Sequence, residues 1–357
     1  MTAHGCCGLS EPYYVAIDVD PLDIRTALTL DHDVASQTVV DEGTTARPQL
    51  TIAIPTFRRE RLLREALGSA LAQDADSVIE IIVIDNDPSA TGTAAHSLSF
   101  DKQNRRVRYV VNDRNIGMFG NWNRAITMAQ GEWFAILNDD DLFDPNFARR
   151  MLAELTAPDA PDALICCKRI LDERPQTDHT PPATARAAKL ILRHITFRGR
   201  KWRPITARHL FWGNVIGNSV GLMCRTRDLH TLGGFDPADF PSADYYLHAR
   251  LATTRRLGQL SDVLASIRVA ENESMKPETL YGFLRTGYHM QQALAARILP
   301  RWWSRLSPAL IARHVGELSE GWRVPLDRMR VERELDIRLP RDPGTGIKLL
   351  RLLLGGW

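Results

Sequence analysis

The sequence predicts an α/β protein whose central sheet is mostly parallel and flanked by helices. Two short apolar runs, LTIAI at 50–54 and EIIVI at 80–84, are rich in β-branched residues, which is typical of strands covered on both faces. Between them, apolar residues from Leu62 to Leu71 recur at helical spacing. A strand, a helix and a strand at this spacing predict a βαβ unit, so we expect parallel pairing.

Further strands and helices are predicted in the same alternating order. The runs VRYVV at 107–111 and WFAIL at 133–137 predict two more strands, with a helix around 120–130 between them. After the second run, Asp144 and Pro145 are predicted as the N-cap and first-turn proline of a helix with the sequence NFARRMLAEL. The alternation therefore continues beyond the first βαβ unit.

Composition and charge exclude several classes of protein. The net charge of +2 gives no general attraction to nucleic acid. We find no apolar run of about 18 residues, so no membrane-spanning helix is expected. The first residues lack the basic and apolar pattern of a secretory signal. The five cysteines form two adjacent pairs and a single residue without C-x-x-C spacing, which favours a reduced, cytoplasmic protein.

An acidic cluster follows the strand predicted at 133–137. Asp139, Asp140 and Asp141 are adjacent, and like charges side by side repel unless a divalent cation or basic side chains relieve them. The cluster lies where a parallel strand ends, which is the edge at which open α/β sheets bind ligands. Carboxylates suit Mn²⁺ or Mg²⁺, which one or two of them commonly hold together with substrate phosphates. A solvated turn is the alternative.

Residues 50–147 resemble family 2 glycosyltransferases in the order and spacing of four motifs. LTIAIPTFRRERLLREALGSAL resembles the opening strand and helix, and EIIVIDNDPS resembles the second strand with its acidic turn. NDRNIGMFGNWNRAITMAQGEWFAILNDDDLFDPNF resembles the asparagine-glycine loop, the helix, the strand and the D-x-D-type motif in unbroken succession. The resemblance implies the GT-A fold of nucleotide-diphospho-sugar transferases and an inverting enzyme of the bacterial cell-surface polysaccharide type.

The resemblance also implies which residues bind a nucleotide-sugar donor. Asp85 would accept a hydrogen bond from the base, since a strand-end carboxylate suits the imide N–H of uracil, or it is a turn-forming aspartate. Pro55 and Thr56 would line the pocket for the base and ribose. Asn115 and Gly117 would shape the loop beside the diphosphate, although N-I-G is also an ordinary turn. A UDP-sugar is the favoured donor.

The metal assignment follows from the same resemblance. Asp140 aligns with the aspartate expected to bind Mn²⁺ or Mg²⁺, and Asp139 and Asp141 are supporting ligands. Asp139 is also expected to contact the donor. Two positions depart from the family pattern: Arg58 stands where the family usually has Asn, and Asn138 stands where many members carry the first Asp of D-x-D.

The acceptor hydroxyl must lose a proton as it attacks the sugar, so a carboxylate is expected as general base. The resemblance implies that this base is the second residue of an E-D pair after a G-G-F-D motif. The chain reads LGGFDPADFPSADYYLHARL at 232–251, and the family's E-D pair reads Ala243-Asp244. Asp244 is therefore the expected catalytic base at a helix N-terminus, with N-capping as the alternative. Further on, Ala270 replaces a histidine of many relatives, while Arg268 either meets phosphate or forms a surface salt bridge.

The chain is predicted to divide into three parts. Residues 1–47 are expected to be an irregular N-terminal extension with one strand-like run, YYVAIDV. Residues 48–275 are expected to form the GT-A catalytic domain, with a nucleotide-binding half at 48–147 and an acceptor half at 148–275. Residues 276–357 are expected to form a helical C-terminal region.

The acceptor half is predicted to contain a basic insertion at 171–210. Within it, residues 183–209 hold eight Lys or Arg residues and no Asp or Glu, with apolar residues between them. This segment and the tail at 347–357 have the pattern of surfaces that contact lipid headgroups, although a solvated helix face packed on the body explains each equally well. The segment 183–209 is also interpreted as a lid over the donor diphosphate. The acceptor is expected to be a glycan or a lipid-linked molecule. The protein is expected to attach peripherally to the inner face of the membrane.

Two other functions compete with sugar transfer. A sugar-phosphate nucleotidyltransferase also uses a sheet edge and a carboxylate-bound metal, but it normally has a glycine-rich basic loop where this chain reads IPTFRRERLL. A non-catalytic nucleotide-sugar-binding protein of the same fold stays open because Ala243 and Ala270 replace usual family residues. The sequence leaves the oligomeric state open.

Overall fold

The computed structural model describes residues 20–96, 103–173, 201–269 and 276–342, and five residues of the C-terminal tail, namely Gly346, Ile347, Leu350, Arg351 and Leu354. The strand predicted from YYVAIDV, the position of Ala270 and most of the basic insertion lie outside the described residues. The fold below is that of the described part of the chain.

Within these ranges, ten strands form a single mixed sheet. They are β1 Ser36–Gly43, β2 Leu50–Thr56, β3 Ile79–Asp85, β4 Arg105–Asn112, β5 Trp133–Ile136, β6 Leu142–Phe143, β7 Ala163–Asp172, β8 Trp202–Ile205, β9 Leu222–Arg225 and β10 Leu257–Val269. The α-helices are α1 Glu60–Leu71, α2 Thr93–His96, α3 Gly117–Met128, α4 Phe147–Leu155, α5 Ala207–Phe211, α6 Thr226–Thr231, α7 Ala243–Thr254, α8 Pro277–Arg297, α9 Ser307–Trp322 and α10 Arg328–Leu335. Short 3₁₀ helices span Pro237–Asp239 and Arg301–Leu306.

The sheet order is β1-β4-β3-β2-β5-β9-β7-β10-β6, with β8 paired to β10. Strands β4, β3, β2 and β5 pair in parallel, which confirms the predicted βαβ unit. Strand β9 is antiparallel to both β5 and β7, so it joins the parallel part to the second half of the sheet. The carboxyl ends of the four parallel strands consequently lie along one edge.

Helix α1 explains why the first βαβ unit folds as predicted. Its buried side chains, Leu63, Ala66, Leu67 and Ala70, belong to the apolar stripe read from the sequence. Every residue of β2 and β3 is buried, as expected for strands covered on both faces. One apolar cluster contains the α1 stripe, and a second contains Phe119 and Ile126 of α3 together with side chains of α7.

Two local predictions are wrong. The extension predicted as irregular contains β1, which pairs antiparallel with β4 from Ser36 opposite Asn112 to Gly43 opposite Arg106. This strand buries only Val40, so it has no apolar run by which the sequence would show it. The N-cap of α4 is Asn146 instead of Asp144. The division of the chain into domains stays a prediction.

The predicted helical C-terminal region contains α8, α9 and α10, which enclose a small apolar cluster of their own. In the tail, Ile347 is buried, and Leu350 and Leu354 pack against the main core. These three apolar side chains therefore contact protein, which agrees with the alternative of a helix face packed on the body. Among the described residues, no helix has both the length and the apolar character needed to cross a bilayer.

The G-G-F-D motif is a structural joint that positions α7. Gly233 and Gly234 have φ values of +78° and +74°, which favour glycine. The segment before β1 crosses this joint, with the Ala27 N–H donating to the Gly233 carbonyl at 2.8 Å. Asn123 of α3 accepts from the Phe235 N–H and donates to the Phe235 carbonyl, both at 2.8 Å. The joint thereby fixes the start of α7 against α3.

Gly233→Ala tests this joint. A Cβ at Gly233 would lie 2.1 Å from the Arg25 carbonyl oxygen and would occupy a left-handed backbone position. We expect the free energy of unfolding to fall by at least about 2 kcal/mol, measured by urea titration. The control is Gly287→Ala in α8, where an added Cβ meets no atom within 4 Å. This control should gain about 0.5–1 kcal/mol, and equal midpoints for the two variants would contradict the assignment.

Candidate functional site

Three polar side chains meet where the parallel strands end. Thr56, the last residue of β2, pairs in register with Asp85, the last residue of β3. The Thr56 hydroxyl donates to a carboxylate oxygen of Asp139 at 2.7 Å. All three residues are buried, and Pro55 lies beside them within β2. The structure therefore brings together four of the residues that the sequence predicts at the donor site.

Asp85 has partners within the protein. The Tyr109 hydroxyl of β4 donates to one carboxylate oxygen, and the Asp87 N–H donates to the other at 2.9 Å. Burial raises the pKa of Asp85, and the two hydrogen bonds oppose that rise. Sequence reasoning missed Tyr109; its polar hydroxyl within the apolar run VRYVV was the available signal.

Three buried asparagines hold the loop that precedes α3. The Asn112 amide donates to the side-chain oxygens of Asn86 at 2.8 Å and Asn121 at 3.1 Å. The Asn86 amide donates to the Gly117 carbonyl at 2.9 Å, and the Asn121 amide donates to the Ile84 carbonyl at 3.0 Å. The network fixes this loop beside the end of β3, and no motif of the sequence indicated it.

Asn115 and Gly117 shape the same loop locally. The Asn115 side-chain oxygen accepts from the Gly117 N–H at 2.8 Å. Gly117 begins α3 with φ of +76°, and an added Cβ there would meet no atom within 4 Å. Both residues are exposed, so the structure leaves this part of the edge open.

The positive partner of the acidic cluster is Arg59, which precedes α1. Its guanidinium lies 3.2 Å from an oxygen of Asp139 and 3.0 Å from an oxygen of Asp140. Among the described residues, no group of three Asp, Glu, His or Cys side chains is arranged to hold a metal ion. The sequence left open whether a divalent cation or a basic side chain offsets the repulsion among the aspartates. In the structure, the basic side chain of Arg59 does so.

Asp141 has other partners than Asp139 and Asp140. Its oxygens accept from the Asn138 amide at 2.9 Å and from the Arg268 N–H at 2.8 Å. Burial, with a further contribution from the charge of Asp140, raises the pKa of Asp141 to about 7. Asp141 therefore joins the acidic loop to β10.

The Arg268 side chain braces the acidic loop. It donates to the Asp140 carbonyl at 2.9 Å and pairs with Glu65 at 2.6 Å and with Glu173. The side chain is only 8% exposed. Of its two predicted roles, contact with phosphate or a salt bridge, the structure contains the salt bridge.

Asp244 lies in the first turn of α7, as predicted. The N-cap is Ser242, so the alternative that Asp244 itself caps the helix is wrong. Its carboxylate accepts from the Tyr245 N–H at 2.7 Å, and burial raises its pKa to about 6. Ala243, where the family has an acid, is packed in the core at 1% exposure.

Lys168 of β7 links the two halves of the site. Burial raises the pKa of Asp141 and of Asp244, and the positive charge of Lys168 opposes both rises, so its ammonium group lies within electrostatic reach of both carboxylates. Sequence reasoning missed this lysine, whose available signal was a single cation directly after the apolar run ALICC. The acidic loop and Asp244 therefore share one nearby cation.

The backbone explains the departure at Arg58. This residue has φ of +57°, a left-handed conformation in which Asn is enriched among non-glycine residues. Arg58 pairs with Asp87 at 2.9 Å, which connects the loop after β2 to the turn after β3. The family's usual Asn adopts this left-handed conformation more readily than Arg does. The arginine instead contributes the ion pair with Asp87.

Residues 51–227 match the model of glycosyl transferase family 2. This match confirms the resemblance to that family read from the sequence.

Two curated relatives illustrate the match. The chain is 35% identical over 113 residues to the succinoglycan biosynthesis protein ExoO of Rhizobium meliloti, covering 32% of the chain and 31% of that protein. It is 37% identical over 95 residues to the GalNAc(5)-diNAcBac-PP-undecaprenol beta-1,3-glucosyltransferase of Campylobacter jejuni, covering 26% of the chain and 30% of that protein. The chain thus spans about a third of the length of these relatives.

Two solved structures share the fold. S. aureus TarS residues 1–349 in complex with UDP superposes with a TM-score of 0.51 at 16% identity, over 82% of this chain and 76% of that one. The mannosyltransferase PcManGT of Pyrobaculum calidifontis, in complex with GDP-Man and Mn²⁺, gives 0.50 at 17% identity, over 88% and 86%. The predicted GT-A fold is confirmed.

Asn112→Asp tests the asparagine network. The variant replaces an amide donor by an oxygen that faces the side-chain oxygens of Asn86 and Asn121. We expect the free energy of unfolding to fall by about 3 kcal/mol near neutral pH. Burial raises the pKa of the new carboxyl in the folded state. The loss should therefore shrink as pH falls to about 4, the usual pKa of Asp in an unfolded chain.

Urea titration at both pH values measures this effect. The matched control is Asn146→Asp at the N-cap of α4, where Asp is as favourable as Asn and little change is expected. A loss for Asn112→Asp that is independent of pH would contradict the account of the network.

Proposed function

We propose that this chain is an inverting glycosyltransferase that moves a sugar from a nucleotide-diphosphate donor to a hydroxyl of a glycan or lipid-linked acceptor. The observation that carries the proposal is two sets of carboxylates in a chain whose residues 51–227 match glycosyl transferase family 2: Asp85 and Asp139 at the strand ends, and Asp244 in the first turn of α7. A transferase needs both sets, one beside the leaving group and one beside the attacking hydroxyl.

The donor side would use the strand ends. Asp85 would accept a hydrogen bond from the nucleotide base, and Pro55 and Thr56 would line the pocket for base and ribose. Asn115 and Gly117, on the open part of the edge, would lie beside the diphosphate. The complexes of TarS with UDP and UDP-GlcNAc support a UDP-sugar, whereas that of PcManGT with GDP-Man supports a GDP-sugar. We favour UDP because a strand-end carboxylate suits the uracil imide.

The carboxylates also fit a divalent cation, Mn²⁺ or Mg²⁺. Asp140 is 23% exposed and offers hard oxygen ligands, and Asp139 lies beside it on the same guanidinium. These two residues would hold the ion together with diphosphate oxygens and water, while Asp141 keeps its contacts to Asn138 and Arg268. A bound ion would neutralise charge on the leaving diphosphate. The Mn²⁺ in the PcManGT complex supports this assignment.

Asp244 would be the general base. It would take the proton of the acceptor hydroxyl on the side of the sugar opposite the leaving group, and a single displacement would then invert the anomeric centre. A pKa of about 6 leaves this carboxylate ionised at neutral pH and close to the pKa that favours proton transfer.

Asp244→Asn tests the function and the base together. The amide cannot accept the proton, so transfer should fall by about 10²–10⁴-fold while the affinity for the nucleotide-sugar stays within about threefold. The wild-type rate should fall as pH drops below about 6, because the raised pKa of Asp244 makes the base protonated there. Release of nucleoside diphosphate measures the rate, and a thermal-shift titration measures donor binding.

The control for this experiment is Asp159→Asn, an exposed carboxylate in the loop after α4, which should keep the wild-type rate. An Asp244→Asn protein that transfers sugar normally would remove Asp244 from the mechanism. Release of pyrophosphate would identify a nucleotidyltransferase. Donor binding without turnover in the wild type would identify a non-catalytic nucleotide-sugar-binding protein, the alternative left open because Ala243 replaces an acid of the family.

The membrane and cellular assignments belong to the same proposal. A lipid-linked acceptor would bring the protein to the inner membrane face, with residues 183–209 as the proposed contact. Cys166 and Cys224 are buried free thiols, which supports a cytoplasmic setting.

Arg59→Met tests the relation between this arginine and the metal site. Removing the guanidinium that neutralises Asp139 and Asp140 removes a competing cation, so Mn²⁺ should bind about threefold to fivefold more tightly without donor. The electron paramagnetic resonance signal of free Mn²⁺ measures this affinity. The control is Arg61→Met, whose arginine pairs with Glu65 on α1. Weaker binding by Arg59→Met would mean that the arginine holds the carboxylates in place for the ion.

A further inference from the structure

We propose that Lys168 is a positioning residue for sugar transfer: its ammonium group anchors the glycine-rich loop 213–221 and so shapes the acceptor side of the site beside Asp244. The statement that this side of the site binds the acceptor rests on the proposed function. The anchoring itself rests on contacts within the described residues.

The ammonium group uses its whole hydrogen-bonding capacity on this loop. It donates to the Ile216 carbonyl at 3.1 Å, to the Asn218 side-chain oxygen at 3.0 Å and to the Asn218 carbonyl. A lysine ammonium has three N–H donors, and three acceptors are present. Lys168 therefore has no donor left for a phosphate or a sugar hydroxyl, which makes it an anchor and not a substrate ligand.

The loop needs an anchor because of its glycines. Gly213, Gly217 and Gly221 have φ values of +126°, +76° and +84°, which side-chain-bearing residues rarely adopt. Glycine loses more conformational freedom on folding than any other residue, so such a loop is costly to hold in one conformation. Within the loop, the Asn214 side chain forms a turn with Gly217. Contacts from outside must fix the rest.

A second contact ties the loop to the helix that carries Asp244. The Ser219 hydroxyl lies 3.1 Å from His248 Nε2, and His248 is fully buried one helical turn after Asp244. The Gly221 carbonyl accepts from the Cys166 N–H of β7 at 3.0 Å. The loop is thus held between β7 and α7, and Lys168 supplies the charged part of that attachment.

The charge of Lys168 has an effect separate from its hydrogen bonds. Burial raises the pKa of Asp244, and within the described residues Lys168 is the charged side chain that opposes this rise. A neutral side chain at position 168 should therefore move the acid limb of the rate profile to higher pH. An arginine there should leave the limb near its wild-type position.

Lys168→Met and Lys168→Arg test the inference in the full-length protein. For Lys168→Met we expect amide hydrogen exchange at 214–221 to rise about tenfold or more, and kcat/KM for the acceptor to fall by a similar factor. Donor affinity should stay within about threefold. For Lys168→Arg, the dependence of the transfer rate on pH should stay near that of the wild type. The control is Arg149→Met, an exposed cation of α4 that pairs with Asp74 and should change neither measurement.

Unchanged exchange at 214–221, or an unchanged kcat/KM for the acceptor, would overturn the inference. So would a loss of donor affinity equal to the loss of rate. If Lys168→Met does not fold, Asn218→Ala removes one of the three acceptors and keeps the charge. It should raise exchange at the same amides without moving the pH profile, and unchanged exchange in that variant would also overturn the inference. A wild-type protein that releases no nucleoside diphosphate would refute the proposed function, whereas the exchange result would still decide the anchor.

Discussion

Repulsion among the three adjacent aspartates is the constraint on which the rest of this site depends. Three carboxylates in succession at a buried strand end are tolerable only if each finds a partner. Arg59 neutralises Asp139 and Asp140 from the start of α1, while the backbone of Arg268 binds Asp141 from β10. The acidic loop therefore joins the parallel half of the sheet to its second half, and the same contacts that relieve its charge hold the site together.

Burial sets the chemistry of the remaining carboxylates. Desolvation raises the pKa of Asp141 to about 7 and that of Asp244 to about 6. A carboxylate whose pKa is raised in the folded state costs stability when it ionises at neutral pH. Residues that exchange protons or bind cations commonly have such shifted pKa values. Lys168 reduces this cost for both groups without pairing directly with either, because its own hydrogen bonds go to the loop at 213–221.

The structure gives physical reasons for departures from the family pattern. Asn138 replaces an acid and donates to Asp141, where another carboxylate would have added to the repulsion. Arg58 accepts a left-handed backbone conformation and pairs with Asp87. Ala243 replaces an acid with a small side chain that is buried at the start of α7. The first two replacements therefore keep the local geometry by different means, and the third removes a charge from the core.

The sequence by itself determined the parallel strands, the helix between them and the shared edge of Thr56, Asp85 and Asp139. The strands and the helix follow from local periodicity, and the edge position of the aspartates follows from the rule that parallel strands end at one edge. The choice of Thr56 and Asp85 came from the resemblance to family 2 glycosyltransferases. The sequence also located Asp244 at a helix start. Only the tertiary structure decided which side chains contact one another at the site. Arg59 and Asp140 are 81 positions apart, and Lys168 is 50 positions from Asn218. Such pairings leave no periodic signal, because packing between distant elements creates them.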